Sequence, residues 1–155
     1  LPSLLKTFDV CHLCGRGNVD KAMESMPGYR QFDYVTDDLK HLFTMADLVL
    51  TRGGSTSLFE LLTLRKPMLI IPYSRKASRG DQIVNARSFV RQGFGEMLME
   101  TDKSGMDLMP NAFLRAVKSV YEHREAYREK MRKSPAGGGT QNVFRVICEA
   151  AGMKL

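Results

Sequence analysis

Short apolar runs alternate with amphipathic stretches along nearly the whole chain, and no other feature constrains the fold as much. Residues 8–14, 29–35, 47–51, 67–72 and 95–100 read as strands, with 67–72 the most apolar. Residues 19–25, 38–45, 55 to about 64, 81–92, about 110–133 and 140–151 carry the helical period. Leu1 to Lys6 read as the end of a helix, which suggests that the natural polypeptide begins earlier. Strands alternating with helices of this length need right-handed crossovers in a mainly parallel sheet. The predicted class is therefore α/β, a doubly wound, Rossmann-like lobe. At 155 residues the chain is long enough for one domain or one lobe. Such a domain hides roughly 68–70% of its extended surface, so its core needs no disulfide or metal. Pro135-Ala136-Gly137-Gly138-Gly139 forms a hinge too short to separate domains. It divides residues 1–139, the main lobe, from a C-terminal helical segment, 140–155.

The net charge of +6 raises nucleic acid as a partner, but the placement of the charge argues against it. Arg115, Lys118, Arg124, Arg128, Lys130, Arg132 and Lys133 share a stretch with Phe113, Val117, Val120, Tyr121 and Met131. That pattern is a solvated basic face opposite a buried stripe, or a face turned toward an anionic membrane or a partner. No nucleic-acid motif is present, and aromatics do not interleave with the cations. Three cysteines are an odd number, which argues against a disulfide framework. Cys11-His12-Leu13-Cys14 is formally C-x-x-C, yet residues three apart in a strand face opposite ways. Cys11 and Cys14 are thus expected as small buried strand residues, with no metal site. No apolar run approaches the roughly 20 residues that span a bilayer. No signal-peptide pattern occurs, so the cytosol is the expected compartment.

Ligands of doubly wound folds bind beyond the carboxyl ends of the strands, so the loops there carry the chemistry. After residues 47–51 comes Arg52-Gly53-Gly54-Ser55-Thr56-Ser57. Paired glycines allow close backbone approach, and the following helix offers free N–H groups and its positive dipole end. Hydroxyls of Ser55, Thr56 and Ser57 add donors. This suits a phosphate without a metal, although a Gly-Gly-Ser turn that only caps a helix has the same pattern. Glu60, about one turn on, suits ribose hydroxyls or its own helix N-terminus, with Ser55 or Thr56 as the cap. Residues 72–82 make a long cationic loop in which Arg75, Lys76 and Arg79 can neutralise a pyrophosphate. Asp81, Gln82 and Asn85 can bond sugar hydroxyls; a solvated loop with Asp81 as a helix cap is the plainer alternative.

Arg52-Gly53-Gly54-Ser55 through Glu60, Lys66-Pro67 through Pro72, and Arg79-Gly80-Asp81-Gln82-Ile83-Val84-Asn85-Ala86 together resemble the donor-binding lobe of the MurG family. These are bacterial GlcNAc transferases of peptidoglycan synthesis with the GT-B fold. Gly15-Arg16-Gly17-Asn18 and Tyr34-Val35-Thr36-Asp37-Asp38-Leu39 fall where the family has similar segments. The resemblance implies that Glu60 holds the ribose hydroxyls and that the turn from Gly53 to Ser57 holds the diphosphate. It implies that the backbone at Val35 and Thr36 reads uracil, and that Gln82 and Asp81 contact GlcNAc. Some relatives carry two glutamines where this chain has Asp81-Gln82.

The resemblance starts after the family's first donor-lobe strand and does not include its acceptor lobe. It implies a partial donor lobe of an inverting transferase that moves GlcNAc from UDP-GlcNAc to lipid I. No metal cofactor is implied. The enzyme would be cytoplasmic and peripheral at the inner membrane face, serving cell-wall biogenesis, cell shape and division. Its partners would be the acceptor lobe, lipid I through that lobe and the membrane face, not nucleic acid, and residues 140–155 would pack toward the acceptor lobe. This chain alone would be inactive, with no catalytic residue of its own. Two alternatives are a stand-alone UDP-sugar-binding subunit that needs a separate membrane acceptor subunit, and a GT-B glycolipid synthase lobe. A non-catalytic nucleotide-binding regulator is a third. The absent strand would lie between strands 8–14 and 47–51. These two are therefore expected not to pair with each other, their edges being filled by another segment or a second copy.

Overall fold

The computed structural model describes residues 1–74, 80–99, 110–135 and 148. Contacts divide the chain into two compact units, Leu1–Ala46 and Asp47–Leu155. The expected boundary at 139/140, the helix over 140–151 and most of the glycine run lie outside the described residues.

The first unit comprises α1 (Pro2–Leu5), β1 (Val10–Leu13), a 3-10 turn (Lys21–Met23), β2 (Tyr29–Phe32) and α2 (Leu39–Met45). β1 and β2 pair in parallel from Val10 opposite Tyr29 to Leu13 opposite Phe32. The helix expected over 19–25 shrinks to that 3-10 turn. Asp20 and Gln31 explain this locally. The Asp20 carboxylate accepts from Ala22 N, while its backbone exchanges two bonds with the Gln31 amide, at 3.0 and 2.8 Å. These bonds hold the segment against β2 at a length too short to repay helix nucleation. Cys11 is exposed and Cys14 only half-buried, which corrects the expectation of two buried cysteines. β1 has a ladder on one edge only among the described residues, so its side chains lack the cover of a central strand. α2 starts after Asp38, without a side-chain cap.

The second unit comprises β3 (Val49–Thr51), α3 (Ser55–Thr63), β4 (Met68–Ile70), α4 (Asp81–Arg91), β5 (Gly95–Met97), α5 (Pro110–Glu122) and α6 (Arg124–Arg132). Its sheet has the order β3-β4-β5, all parallel. Met68, Leu69 and Ile70 of the central strand are fully buried. Pro67 and Pro72, which have no N–H to give a ladder, bracket that strand. Leu58, Leu61 and Leu62 supply the buried stripe of α3, each worth roughly 1.5–3 kcal/mol.

Two helix ends are built alike. After α3, Lys66 N bonds to Leu61 O and Arg65 N to Leu62 O, with Arg65 left-handed at φ 53°. After α4, Phe94 N bonds to Phe89 O and Gly93 N to Val90 O, with Gly93 at φ 77°. Both are Schellman ends, and the second carries its usual apolar contact, the rings of Phe89 and Phe94 meeting edge to face at 5.6 Å.

The single helix expected over 110–133 breaks at His123. Arg124 Nη1 donates to Tyr121 O at 2.8 Å, the carbonyl that a continuous helix would give to the residue 125 amide. Below and above the break, Ser119 Oγ and Tyr127 OH both donate to Glu96 Oε1 of β5. Arg115, Lys118, Lys130, Arg132 and Lys133 are exposed, opposite the buried Val117, Val120 and Met131.

Candidate functional site

β3 runs into Arg52-Gly53-Gly54, and α3 begins at Ser55 with Gly54 as its N-cap. Ser55 and Thr56 are therefore inside the helix rather than capping it. No side chain caps α3. Among the described residues the backbone N–H groups of Ser55, Thr56 and Ser57 find no partner, and all three residues are exposed. A helix start of this kind presents donors and the positive dipole end outward.

The two glycines have different tasks. A Cβ on Gly53 would lie 2.9 Å from Gln82 Cα and 2.8 Å from Gln82 C, and closer still to its carbonyl oxygen. Gly53 thus lets the first turn of α4 press against the β3–α3 turn. A Cβ on Gly54 would meet nothing within 4 Å, so that position faces open space.

Side chains stitch this junction together. Asn85 Nδ2 donates to Gly53 O at 3.0 Å, and Tyr73 N donates to Gln82 Oε1 at 3.1 Å. Arg52 Nη1 donates to Ile71 O at 3.1 Å, and the guanidinium lies 4.2 Å from the Tyr73 ring centroid. Arg52 and Tyr73 had no role in the sequence reading. Their signal was placement: an arginine directly before the glycine pair, and a tyrosine directly after the strand-ending Pro72. α4 starts from Gly80 at φ 92°, with Asp81 exposed in its first turn and no side-chain cap.

Glu60 lies on the exposed side of α3, in an open depression of about 500 Å³ lined also by Thr56, Phe59, Thr63 and Leu64. It sits five residues beyond Ser55, past the first turn, where it caps nothing. Among the described residues its carboxylate has no hydrogen bond or ion pair. Thr56, which lines the same depression, belongs to the uncapped first turn. Arg75, Lys76 and Arg79 lie outside the described residues.

In the first unit, Gly15 and Gly17 adopt φ of 84° and 75°, and Gly17 N donates to Asp33 Oδ1 at 2.6 Å. The Arg16 guanidinium stands 4.6 Å from the Tyr34 ring centroid. Val35 is half-buried and Thr36 exposed; Thr36 O accepts from Leu39 N, and the Val35 backbone makes no hydrogen bond among the described residues. No cluster of three His, Cys, Asp or Glu side chains suited to a metal occurs among the described residues.

Residues 3–147 match the glycosyltransferase family 28 C-terminal domain. The chain belongs to that family. A Geobacillus kaustophilus protein, named UDP-N-acetylglucosamine--N-acetylmuramyl-(pentapeptide) pyrophosphoryl-undecaprenol N-acetylglucosamine transferase, is 44% identical over 97% of this chain and 41% of its own length. A Clostridium perfringens protein of the same name is 39% identical over 99% of the chain and 42% of its own length. The chain therefore spans about two fifths of these relatives. The solved glycotransferase of kitacinnamycin superposes with a TM-score of 0.60 at 24% identity, covering 88% of this chain and 34% of that one. The spinosyn forosaminyltransferase SpnP gives 0.55 at 16%, covering 93% and 36%. These neighbours establish the fold, mixed α/β with parallel sheets as in GT-B glycosyltransferases.

Proposed function

We propose that the chain is the donor-binding lobe of an inverting GlcNAc transferase, which moves GlcNAc from UDP-GlcNAc to lipid I on the cytoplasmic face of the membrane. The β3–α3 turn carries this reading. Gly54 faces open space, three uncapped amides follow it, and Glu60, without a hydrogen bond or ion pair among the described residues, shares a depression with Thr56 of that first turn. An anionic diphosphate suits the amides of Ser55, Thr56 and Ser57. An acid so near an anion is repulsive unless it accepts bonds from neutral donors, and ribose hydroxyls are such donors. The proposal gives Gln82, Asp81 and Arg79 to the sugar and diphosphate, and uracil to the backbone of Val35 and Thr36. Inversion also needs a base on the acceptor hydroxyl, which this reading assigns to an acceptor lobe. Among the described residues no helix is long and apolar enough to cross a membrane, and peripheral attachment is the corresponding proposal.

Calorimetric titration of the full-length protein with UDP-GlcNAc, UDP-glucose and UDP, with chelator present, tests the reading. UDP and UDP-GlcNAc are expected to bind, with UDP-glucose weaker than UDP-GlcNAc. Absence of UDP binding contradicts the proposal.

A further inference from the structure

Asn85 is a half-buried amide on α4, one of whose two Nδ2 donors is committed. Gly53 O can only accept, so the side chain must present Nδ2 to it, across 32 positions of sequence. The bond lands on the residue that has no room for a Cβ against Gln82. On the other flank, Tyr73 N can only donate, which fixes Gln82 Oε1 toward it. The β3–α3 turn is thus held at Gly53 from α4, while Gly54 and the first amides of α3 remain open.

We infer that Asn85 is a positioning residue for the diphosphate: it holds the turn at Gly53 so that the amides of Ser55, Thr56 and Ser57 stay aimed at the ligand. The inference rests on the donor-lobe reading and adds to it a division of labour. Loss of the clamp should weaken ligands that carry the diphosphate whether or not they carry a sugar. A ligand without phosphate should notice nothing.

Asn85→Ala and the isosteric Asn85→Asp, made in the full-length protein, separate the possibilities. Each variant and the wild type are titrated with UDP-GlcNAc, UDP and uridine, the last followed by NMR because it binds weakly. The expected result is a roughly tenfold loss for both UDP-GlcNAc and UDP, in line with one lost hydrogen bond, with uridine unchanged. Asn85→Asp should lose at least as much, because a carboxylate cannot donate to Gly53 O. Loss for UDP-GlcNAc alone means a direct sugar contact and overturns the inference while leaving the donor-lobe reading intact. Equal loss for all three ligands, or no loss, also overturns it. Wild-type protein that binds none of the three overturns the donor-lobe reading and the inference together.

Discussion

Gly53→Ala is the substitution that the junction should tolerate least. The new Cβ would fall 2.8 and 2.9 Å from Gln82 backbone carbon atoms and nearer still to the Gln82 carbonyl oxygen. None of these atoms belongs to a flexible side chain, so relief requires the first turn of α4 to retreat by about 1 Å. Overpacking of this kind costs about 1–3 kcal/mol. The gain from a stiffer unfolded chain, about 0.4–1 kcal/mol, offsets part of it. A net loss of about 1–2 kcal/mol is expected in urea unfolding. The retreat also lengthens the Asn85 bond to Gly53 O and opens the turn, and a 1 Å misplacement of a binding element can cost about 100-fold in rate. Gly54→Ala is the matched control. Its Cβ meets nothing, so stability should fall by at most about 1 kcal/mol, the difference between glycine and alanine at an N-cap. Its UDP affinity should still drop, because the methyl group occupies the approach to the amides. Urea unfolding with UDP calorimetry on both variants checks this. Gly53→Ala with wild-type stability and wild-type affinity refutes the reasoning.

Arg65 occupies a left-handed position that favours glycine, so Arg65→Gly should raise stability by about 0.5–1 kcal/mol, read as a higher Tm. Burial first, then its hydrogen bond to Glu96, pushes the Tyr127 phenol up to about 12. The stability it contributes is intact below about pH 10, its ordinary pKa, and is lost as pH rises through about 12. Alkaline denaturation followed by phenolate absorbance should lose a step in that window in Tyr127→Phe.

The parts of the fold legible in the sequence are those where local pattern and tertiary packing agree. The turn at Gly53-Gly54 followed by Leu58, Leu61 and Leu62 announces α3, and the apolar run between Pro67 and Pro72 announces β4. Residues 19–25 misled because their period is helical, while the bonds that decide their shape come from Gln31, eleven residues beyond Asp20. The break at His123 was equally hidden. The apolar stripe continues through it, and only Arg124 folding back on Tyr121, with Ser119 and Tyr127 both drawn to Glu96, interrupts the helix. The candidate site divides the same way. Gly53, Gly54 and Glu60 stand out by residue type and spacing. The clamp from Asn85 and the stacking of Arg52 on Tyr73 depend on which loops meet, and no single stretch of chain records that.

The central claim is that a uridine diphosphate lies along α3, from the turn at Gly53 to Glu60, with its ribose on that carboxylate. Calorimetry with UDP and 2′,3′-dideoxy-UDP, on wild-type full-length protein and on Glu60→Ala, tests it directly. The account predicts that wild type prefers UDP by about 10–150-fold, the worth of charged hydrogen bonds, and that Glu60→Ala binds the two ligands equally. Wild-type discrimination retained in Glu60→Ala would contradict it.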